Sequence, residues 1–312
     1  MRGRRETRAA LLFILPWVVG FCVFLLYPLL ASIYYSFCDY SVLKPPIWIG
    51  AANYVDLWHD EVFFQTIWNT LIYAAMALPL GLLLALGLAL LLNAKVRGMT
   101  VYRTIFFVPS LVPAVALAVL WLWIFNGDDG ILNYFIRMIH YPALSLIHHG
   151  SLQLRLHWKG VSAPNWTGDT LWSKPALVLM SLWGTGNAVV IYLAGLQDVP
   201  QALYEAAELD GAGWWARTRN VTLPMLSPVI LFNLIMGIIG TLQVFTVPYV
   251  MFPGGTPARS TYFYTMYLFD NAFIYHKMGY ACAMGWLMFL AVLLLTLGAI
   301  KLSERHVYYG GA

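Results

Sequence analysis

The sequence predicts an all-α, polytopic membrane protein with six transmembrane helices. Three observations carry that reading. Of 312 residues, 61% are hydrophobic and 10% charged, with a mean hydropathy of +0.70, whereas a soluble domain carries about 25% charged residues to wet its surface. Six segments free of Asp, Glu, Lys and Arg cover residues 9–38, 62–94, 104–127, 175–197, 220–258 and 278–300. Each holds the ~20 apolar residues that span a ~30 Å hydrocarbon core, and helices satisfy backbone groups where lipid offers no partner. A soluble globular enzyme, a disordered chain and a fibre are excluded.

The elements follow in order within a single membrane domain over 1–312. The first span is expected over about 10–36. It follows the basic start Met1-Arg-Gly-Arg-Arg-Glu-Thr-Arg8, and its apolar run of 30 residues exceeds the 7–15 of a signal peptide, so it reads as an uncleaved span. Spans two and three are expected over 68–93 and 104–126, an outer loop over 127–174, span four over 175–197, an inner loop over 198–224, and spans five and six over 228–251 and 278–300. A further uncharged stretch, 138–154, is rejected as a span because it holds His140, Pro142, His148, His149 and Gly150.

Basic residues orient the chain. With the N-terminus inside, eleven Lys and Arg fall in roughly 60 inner-loop residues and seven in roughly 105 outer-loop residues. Both termini are therefore expected in the cytoplasm. The net charge of +4 reflects this bias and gives no reason to invoke nucleic acid. Tryptophans 48, 58, 68, 121, 123, 158, 166 and 172 lie in or beside the predicted outer loops. They read as an interfacial belt, or as rings that meet a partner or a sugar face.

Several chemistries are missing. Cys22, Cys38 and Cys282 are too scattered for a disulfide framework or a metal site. No lysine follows a glycine, so no phosphate-cradling G-x-x-x-x-G-K-[ST] loop exists, and neither H-E-x-x-H nor G-x-S-x-G occurs. No catalytic residue or metal ligand is assigned. The uncharged segments hold no carboxylate that a proton-coupled pump would titrate, although a sodium site can use neutral oxygens. His140, His148, His149 and His157 cluster in the outer loop with no standard metal spacing; they read as solvated.

The most informative segment is the inner loop, from Asp198-Val-Pro200 through Glu205-Ala-Ala-Glu-Leu-Asp-Gly211 to Val221-Thr-Leu-Pro224. Asp198 is expected to cap a helix whose first turn holds Pro200. Gln201–Leu209 is a good helix former, Gly211 and Gly213 interrupt it, and a second short helix is expected over 212–220, ending before Pro224. The result is a helical hairpin at the membrane surface. It reads either as an amphipathic connector or as a docking surface, and the acids Glu205, Glu208 and Asp210 beside an anionic leaflet favour a protein partner.

Glu205-Ala206-Ala207, Asp210-Gly211-Ala212 and Val221-Thr-Leu-Pro224 resemble the EAA loop of ABC importer permeases. Leu26-Tyr-Pro-Leu29, Tyr35-Ser-Phe37, Gly50-Ala-Ala-Asn53-Tyr54, Asn69-Thr70, Arg103-Thr-Ile-Phe-Phe-Val-Pro109, Gly254-Gly-Thr-Pro257 and Val307-Tyr-Tyr-Gly310 resemble the maltose and glycerol-3-phosphate branch of that family, over essentially the whole chain. The resemblance implies a type I ABC importer transmembrane domain in a bacterial or archaeal plasma membrane. It implies coupling through Glu205, Ala206, Ala207, Asp210, Gly211, Ala212 and Pro224 to two copies of a separate ATPase subunit, which would carry ATP and Mg; this chain would hold no cofactor. A second permease, expected as a heterodimer partner, and an extracytoplasmic solute-binding protein complete the expected assembly. Thr218 departs from the family's usual aromatic, for which Trp214 and Trp215 are expected to substitute, and residues 145–162 look like an insertion.

Uncharged polar and aromatic residues within the spans are candidates for a sugar pathway: Ser110, Ser181, Trp183, Thr185, Asn187, Asn233, Thr241, Gln243 and Tyr249. Such residues also glue helices together. The family resemblance raises Ser110, Ser181, Thr185, Thr241 and Gln243. Sugar, oligosaccharide, polyol or glycerol phosphate would each suit the family. An ion-coupled secondary transporter is the alternative, but it predicts an inverted repeat that is not evident. A membrane-embedded enzyme using the outer histidines is a third class.

Overall fold

The computed structural model describes residues 13–94, 96–140, 164–304 and 307–308. Helix α1 (Phe13–Ser36) contains a π-helical stretch at Cys22–Leu26. A short antiparallel hairpin, β1 (Cys38–Asp39) and β2 (Ile47–Trp48), pairs Cys38 with Trp48 and Asp39 with Ile47. Helix α2 (Ala52–His59) leads to α3 (Glu61–Leu92), whose start is capped by Asp60: its Oδ1 accepts from the Val62 and Phe63 amides at 2.8 and 3.3 Å. The helix that holds the expected second span therefore begins upstream of 68. A 32-residue helix is about 48 Å long at 1.5 Å per residue, more than a bilayer core requires.

The third uncharged segment is not one straight span. It forms α4 (Met99–Leu111) and α5 (Ala114–Ile124), bent by 99°. Pro113 explains the break: it has no amide to donate and it pushes Val112 to an extended conformation, ψ 129. The fourth segment divides into α7 (Ser173–Trp183) and α8 (Gly186–Gln197), bent by 45°; α6 (Ile131–His140) lies in the preceding loop. The fifth is preceded by α9 (Gln201–Leu209) and α10 (Trp214–Arg217) and forms α11 (Leu223–Leu242) and α12 (Thr246–Met251). After α13 (Tyr264–Phe269), α14 (Met278–Ser303) closes the chain. Among the described residues, four helices are long and apolar enough to cross a membrane, or six when each bent pair counts as one span. The fold is mostly helical with four to six such spans.

The chain divides into two compact units. The smaller comprises residues 1–64 and 266–293. Within it, Asp60 joins three elements, because its Oδ2 accepts from the Tyr267 hydroxyl at 2.5 Å and the Tyr280 hydroxyl at 2.6 Å. Burial raises the Asp60 pKa, but these two bonds and the Phe63 and Val62 amides more than reverse that, leaving it below the ordinary carboxylate value. The larger unit comprises 65–265 and 294–312. Its core packs Ala85, Ala89 and Leu92 of α3 against Val189, Tyr192, Leu193 and Leu196 of α8 and Leu226 of α11. Alanines on α3 let α8 and α11 approach it closely, as small residues do between membrane helices.

Candidate translocation and coupling site

The inner-loop hairpin lies within the larger unit. Helix α9 spans Gln201–Leu209 as its composition predicts, but it starts after Pro200 with no side-chain cap, so Asp198 does not cap it. Its end is a Schellman turn: the Gly211 amide donates to Glu208 O at 3.0 Å and the Ala212 amide to Ala207 O at 2.9 Å. Gly211 supplies the left-handed residue that this motif needs, with φ +76. The return strand of the hairpin does not stop before Pro224. A π-helical stretch, Thr218–Thr222, joins α10 to α11, and the Leu223 amide reaches back to Thr218 O. The wider turn lets the helix absorb Pro224 at the start of α11 instead of ending there.

Two clips close the hairpin. Arg217 pairs with Glu208, and the Tyr204 and Thr222 hydroxyls lie 3.0 Å apart. Leu90, Asn93, Tyr204, Trp214, Arg217 and Thr222 line a cavity of about 300 Å³ between the hairpin and the end of α3. Glu205, Ala206, Asp210, Gly211 and Pro224 are exposed, while Ala207 and Ala212 are half-buried. Leu209 is 90% exposed, and Trp214 and Trp215 are also exposed. Thr218 is instead buried and its hydroxyl donates to Trp214 O at 2.9 Å. The aromatic surface at this point therefore comes from the two tryptophans.

The pathway candidates gather at helix breaks. Ser110 lies in the 3₁₀ turn that precedes the bend between α4 and α5. Thr185 lies in the break between α7 and α8, with exposed Trp183 and Asn187 on either side. Gln243, also exposed, ends α11 at the break before α12, where the freed Val244 carbonyl is taken up by the Thr265 hydroxyl. Two of the breaks meet, since α4 and its 3₁₀ turn pack on the start of α8; α11 also packs on α8, and α12 packs on α5. At Gly186 a Cβ would lie 2.9 Å from Phe106 O and 3.0 Å from Ser110 Oγ. The α8 start thus sits directly on the backbone of the neighbouring break.

The hydroxyls have local partners. Ser110, Ser181 and Thr185 donate to carbonyls three residues earlier at 2.7, 2.7 and 2.9 Å, and Thr241 donates to Gly237 O at 2.7 Å. Such back-bonding satisfies the hydroxyl proton and bends the helix; Ser181 in addition bonds the buried Tyr73 side chain. Asn233 is buried and bonds Val229 O at 3.0 Å, which makes it a packing residue of α11. Tyr249 stacks on Phe245 at 5.0 Å, and Trp183 meets the buried Trp121 edge-on at 5.9 Å. No cluster of metal ligands exists among the described residues. The side chain of His140, and His148, His149, His157 and the 145–162 stretch, lie outside them.

Sequence reading did not find Gly186, whose role depends on which backbone it touches. It also missed the Asp60–Tyr267–Tyr280 group, whose members are separated by 207 and 220 residues in sequence.

Residues 77–307 match the family described as binding-protein-dependent transport system inner membrane component. The probable ABC transporter permease protein YesP of Bacillus subtilis is 37% identical over 98% of this chain and 94% of its own length. The lactose transport system permease protein LacF of Rhizobium radiobacter is 33% identical over 91% and 90%. The trehalose/maltose transport system permease protein MalF of Thermococcus litoralis is 30% identical over 96% and 95%. A chain of a bacterial ABC transporter that imports the acidic polysaccharide alginate has the same fold, with a TM-score of 0.80 at 24% identity, covering 98% of this chain and 99% of that one. A chain of a bacterial alginate ABC transporter, solved in complex with an alginate pentasaccharide-bound periplasmic protein, gives 0.81 at 22% identity, covering 99% of each.

Proposed function

The chain belongs to the family of binding-protein-dependent transport system inner membrane components, a type I ABC importer membrane domain, and from that premise we propose that it forms one wall of a carbohydrate import pathway driven by a separate ATPase. The single observation that carries the proposal is how the hairpin is wired. Helix α8 runs from the break at Thr185 to the hairpin, and α11 runs from the hairpin to the break at Gln243. Those lengths are about 18 and 30 Å, and both helices share one packed core with α3. A force on the hairpin therefore reaches two polar breaks through rigid elements, which is what a two-state transporter needs.

In this reading the ATPase pair grips the hairpin through Glu205, Asp210 and the exposed Leu209, Trp214 and Trp215. Ala206, Ala207, Ala212, Gly211 and Pro224 hold the hairpin's shape. ATP and Mg act on the ATPase, and this chain's residues perform no chemistry. The solute passes the breaks, where Ser110, Ser181, Thr185, Asn187, Thr241 and Gln243 offer neutral hydrogen-bonding groups and Trp183 and Tyr249 offer rings. Neutral groups and rings suit a saccharide better than an ion. A second permease subunit supplies the opposite wall, an extracytoplasmic binding protein delivers the solute, and the hairpin and both termini face the cytoplasm. The MalF and LacF likenesses support a sugar as cargo.

The test is solute-stimulated ATP hydrolysis by the assembled complex. Gly211→Val forces a β-branched residue into a left-handed turn, at a cost of about 1–2 kcal/mol, although nothing lies within 4 Å of the added Cβ. Gly211→Asn tolerates that conformation. Expected is loss of stimulation with valine and its retention with asparagine. Full stimulation with valine would remove the hairpin's shape from the coupling mechanism.

A further inference from the structure

The residues that follow the first span expose more apolar surface than a loop facing water carries. Leu43 is 81%, Trp48 59% and Trp58 73% exposed, and Val42, Ile47, Ile49 and Val55 are exposed as well. Single exposed apolar side chains need no explanation, but a set this dense marks an interaction surface. Three observations identify its partner as the lipid headgroup layer.

The first is length. The 24 residues of α1 extend about 36 Å, against a ~30 Å hydrocarbon core, so the helix is long enough to cross the core and bring the residues after Ser36 to headgroup level. The second is continuity. None of α1's most apolar stretch is buried within the protein, and the Trp48 ring extends its surface, with centroids 5.7 Å from Tyr34 and 5.5 Å from Phe37. The third is chemistry. Tryptophans and aliphatics beside Lys44 make an interfacial composition. Asp39 and Asp56, both exposed, outnumber Lys44 in this segment, so apolar burial and not attraction to anionic lipid sets the depth.

The surface is fixed to the span. Asn53 Nδ2 donates to Ser36 O at 2.9 Å and Cys38 O at 3.0 Å, the Tyr54 hydroxyl donates to Ser36 Oγ at 2.9 Å, and the Ile49 amide donates to Phe37 O at 2.9 Å. Ile49, Asn53 and Tyr54 thus lock this segment to the last turn of α1, and Gly50 supplies the left-handed residue between them, with φ +64. We propose that residues 38–58 form a rigid foot lying in the headgroup layer, with Leu43, Trp48 and Trp58 dipping into the acyl boundary, which holds the first span at a fixed depth.

The proposal rests on membrane insertion and not on the coupling mechanism, so its test reads depth and not transport. Spin labels are placed by Leu43→Cys and, separately, Trp58→Cys, with Cys22→Ala and Cys282→Ala removing accessible thiols; Cys38 is fully buried. The assembled transporter is reconstituted in vesicles of phosphatidylethanolamine with and without phosphatidylglycerol. Expected at both sites is collision with oxygen exceeding collision with a water-soluble nickel chelate, at a depth of about 5–10 Å, whichever lipid is used. Dominant collision with the chelate would place the foot in water and overturn the proposal. Exclusion of both reagents would also overturn it, by assigning the surface to a protein neighbour. Both positions are exposed, and either label alone decides the question.

Discussion

Replacing Gly186 by alanine should loosen the site where two helix breaks touch. The added Cβ would lie 2.9 Å from Phe106 O, 3.0 Å from Ser110 Oγ and 3.2 Å from Phe107 Cα. Two of these are backbone atoms, which cannot rotate away. The α4 turn and the α8 start must therefore separate by several tenths of an ångström. Overpacking of this kind costs about 1–3 kcal/mol, and the intrinsic preference of helices for alanine returns at most ~1 kcal/mol. The net expectation is a destabilisation of up to about 3 kcal/mol, and of no less than about zero even if the whole helix preference is returned. Gly184→Ala is the control, because its Cβ would meet only Ser181 O, at an ordinary 3.6 Å. Thermal unfolding of the detergent-solubilised complex should show a drop for Gly186→Ala well beyond that of Gly184→Ala. Vesicle uptake should show a raised solute requirement, since Ser110 and Thr185 move with the two segments. A Gly186→Ala complex with unchanged melting and uptake would refute the close approach and with it the convergence of the breaks.

Gln243→Leu should weaken uptake while leaving assembly intact, because Gln243 is exposed at the α11 break and its backbone amide, which donates to Ile239 O at 3.1 Å, is kept in the variant; wild-type solute dependence would remove it from the pathway. Trp214→Glu together with Trp215→Glu should abolish co-purification of the ATPase subunit without changing the helical content seen by circular dichroism. For Asp60 the folded pKa lies below the ordinary value, so the stability it contributes is present above the unfolded pKa of ~3.9 and is lost as pH falls through the folded value. Stability should be flat from pH 5 to 8 in this respect, and Asp60→Asn should flatten the acid limb of a melting-versus-pH profile. Trp166→Phe should cost about 1–3 kcal/mol, because Asn133 Oδ1, buried and 2.7 Å from the indole nitrogen, loses its donor; unchanged melting would show that another donor replaces it.

The sequence by itself determined the membrane class, the helical content and the family. Charge-free segments of 23 to 39 residues have no stable alternative in lipid, and the Glu205–Pro224 pattern is local enough to be legible. Helix α9 came out at the residues its composition favours, because good helix formers followed by glycine determine both ends. Asp198 as a cap and Pro224 as a terminator were misread, since several local solutions compete there. A π turn, Thr218–Thr222, absorbs the proline instead.

Pro113 marks the break in the third apolar segment, but only the tertiary structure decided the size of the bends, 99° there and 45° in the fourth. Hydropathy measures length and polarity but carries no direction, so a straight span and a sharply broken pair look alike. Nor could the sequence bring Ser110 against Gly186, or Asp60 against Tyr267 and Tyr280, since those contacts join residues 76 to 220 positions apart. Local preference determines an element, but which elements touch depends on close packing of the whole chain, and there a single hydrogen in place of a methyl group allows two breaks to meet.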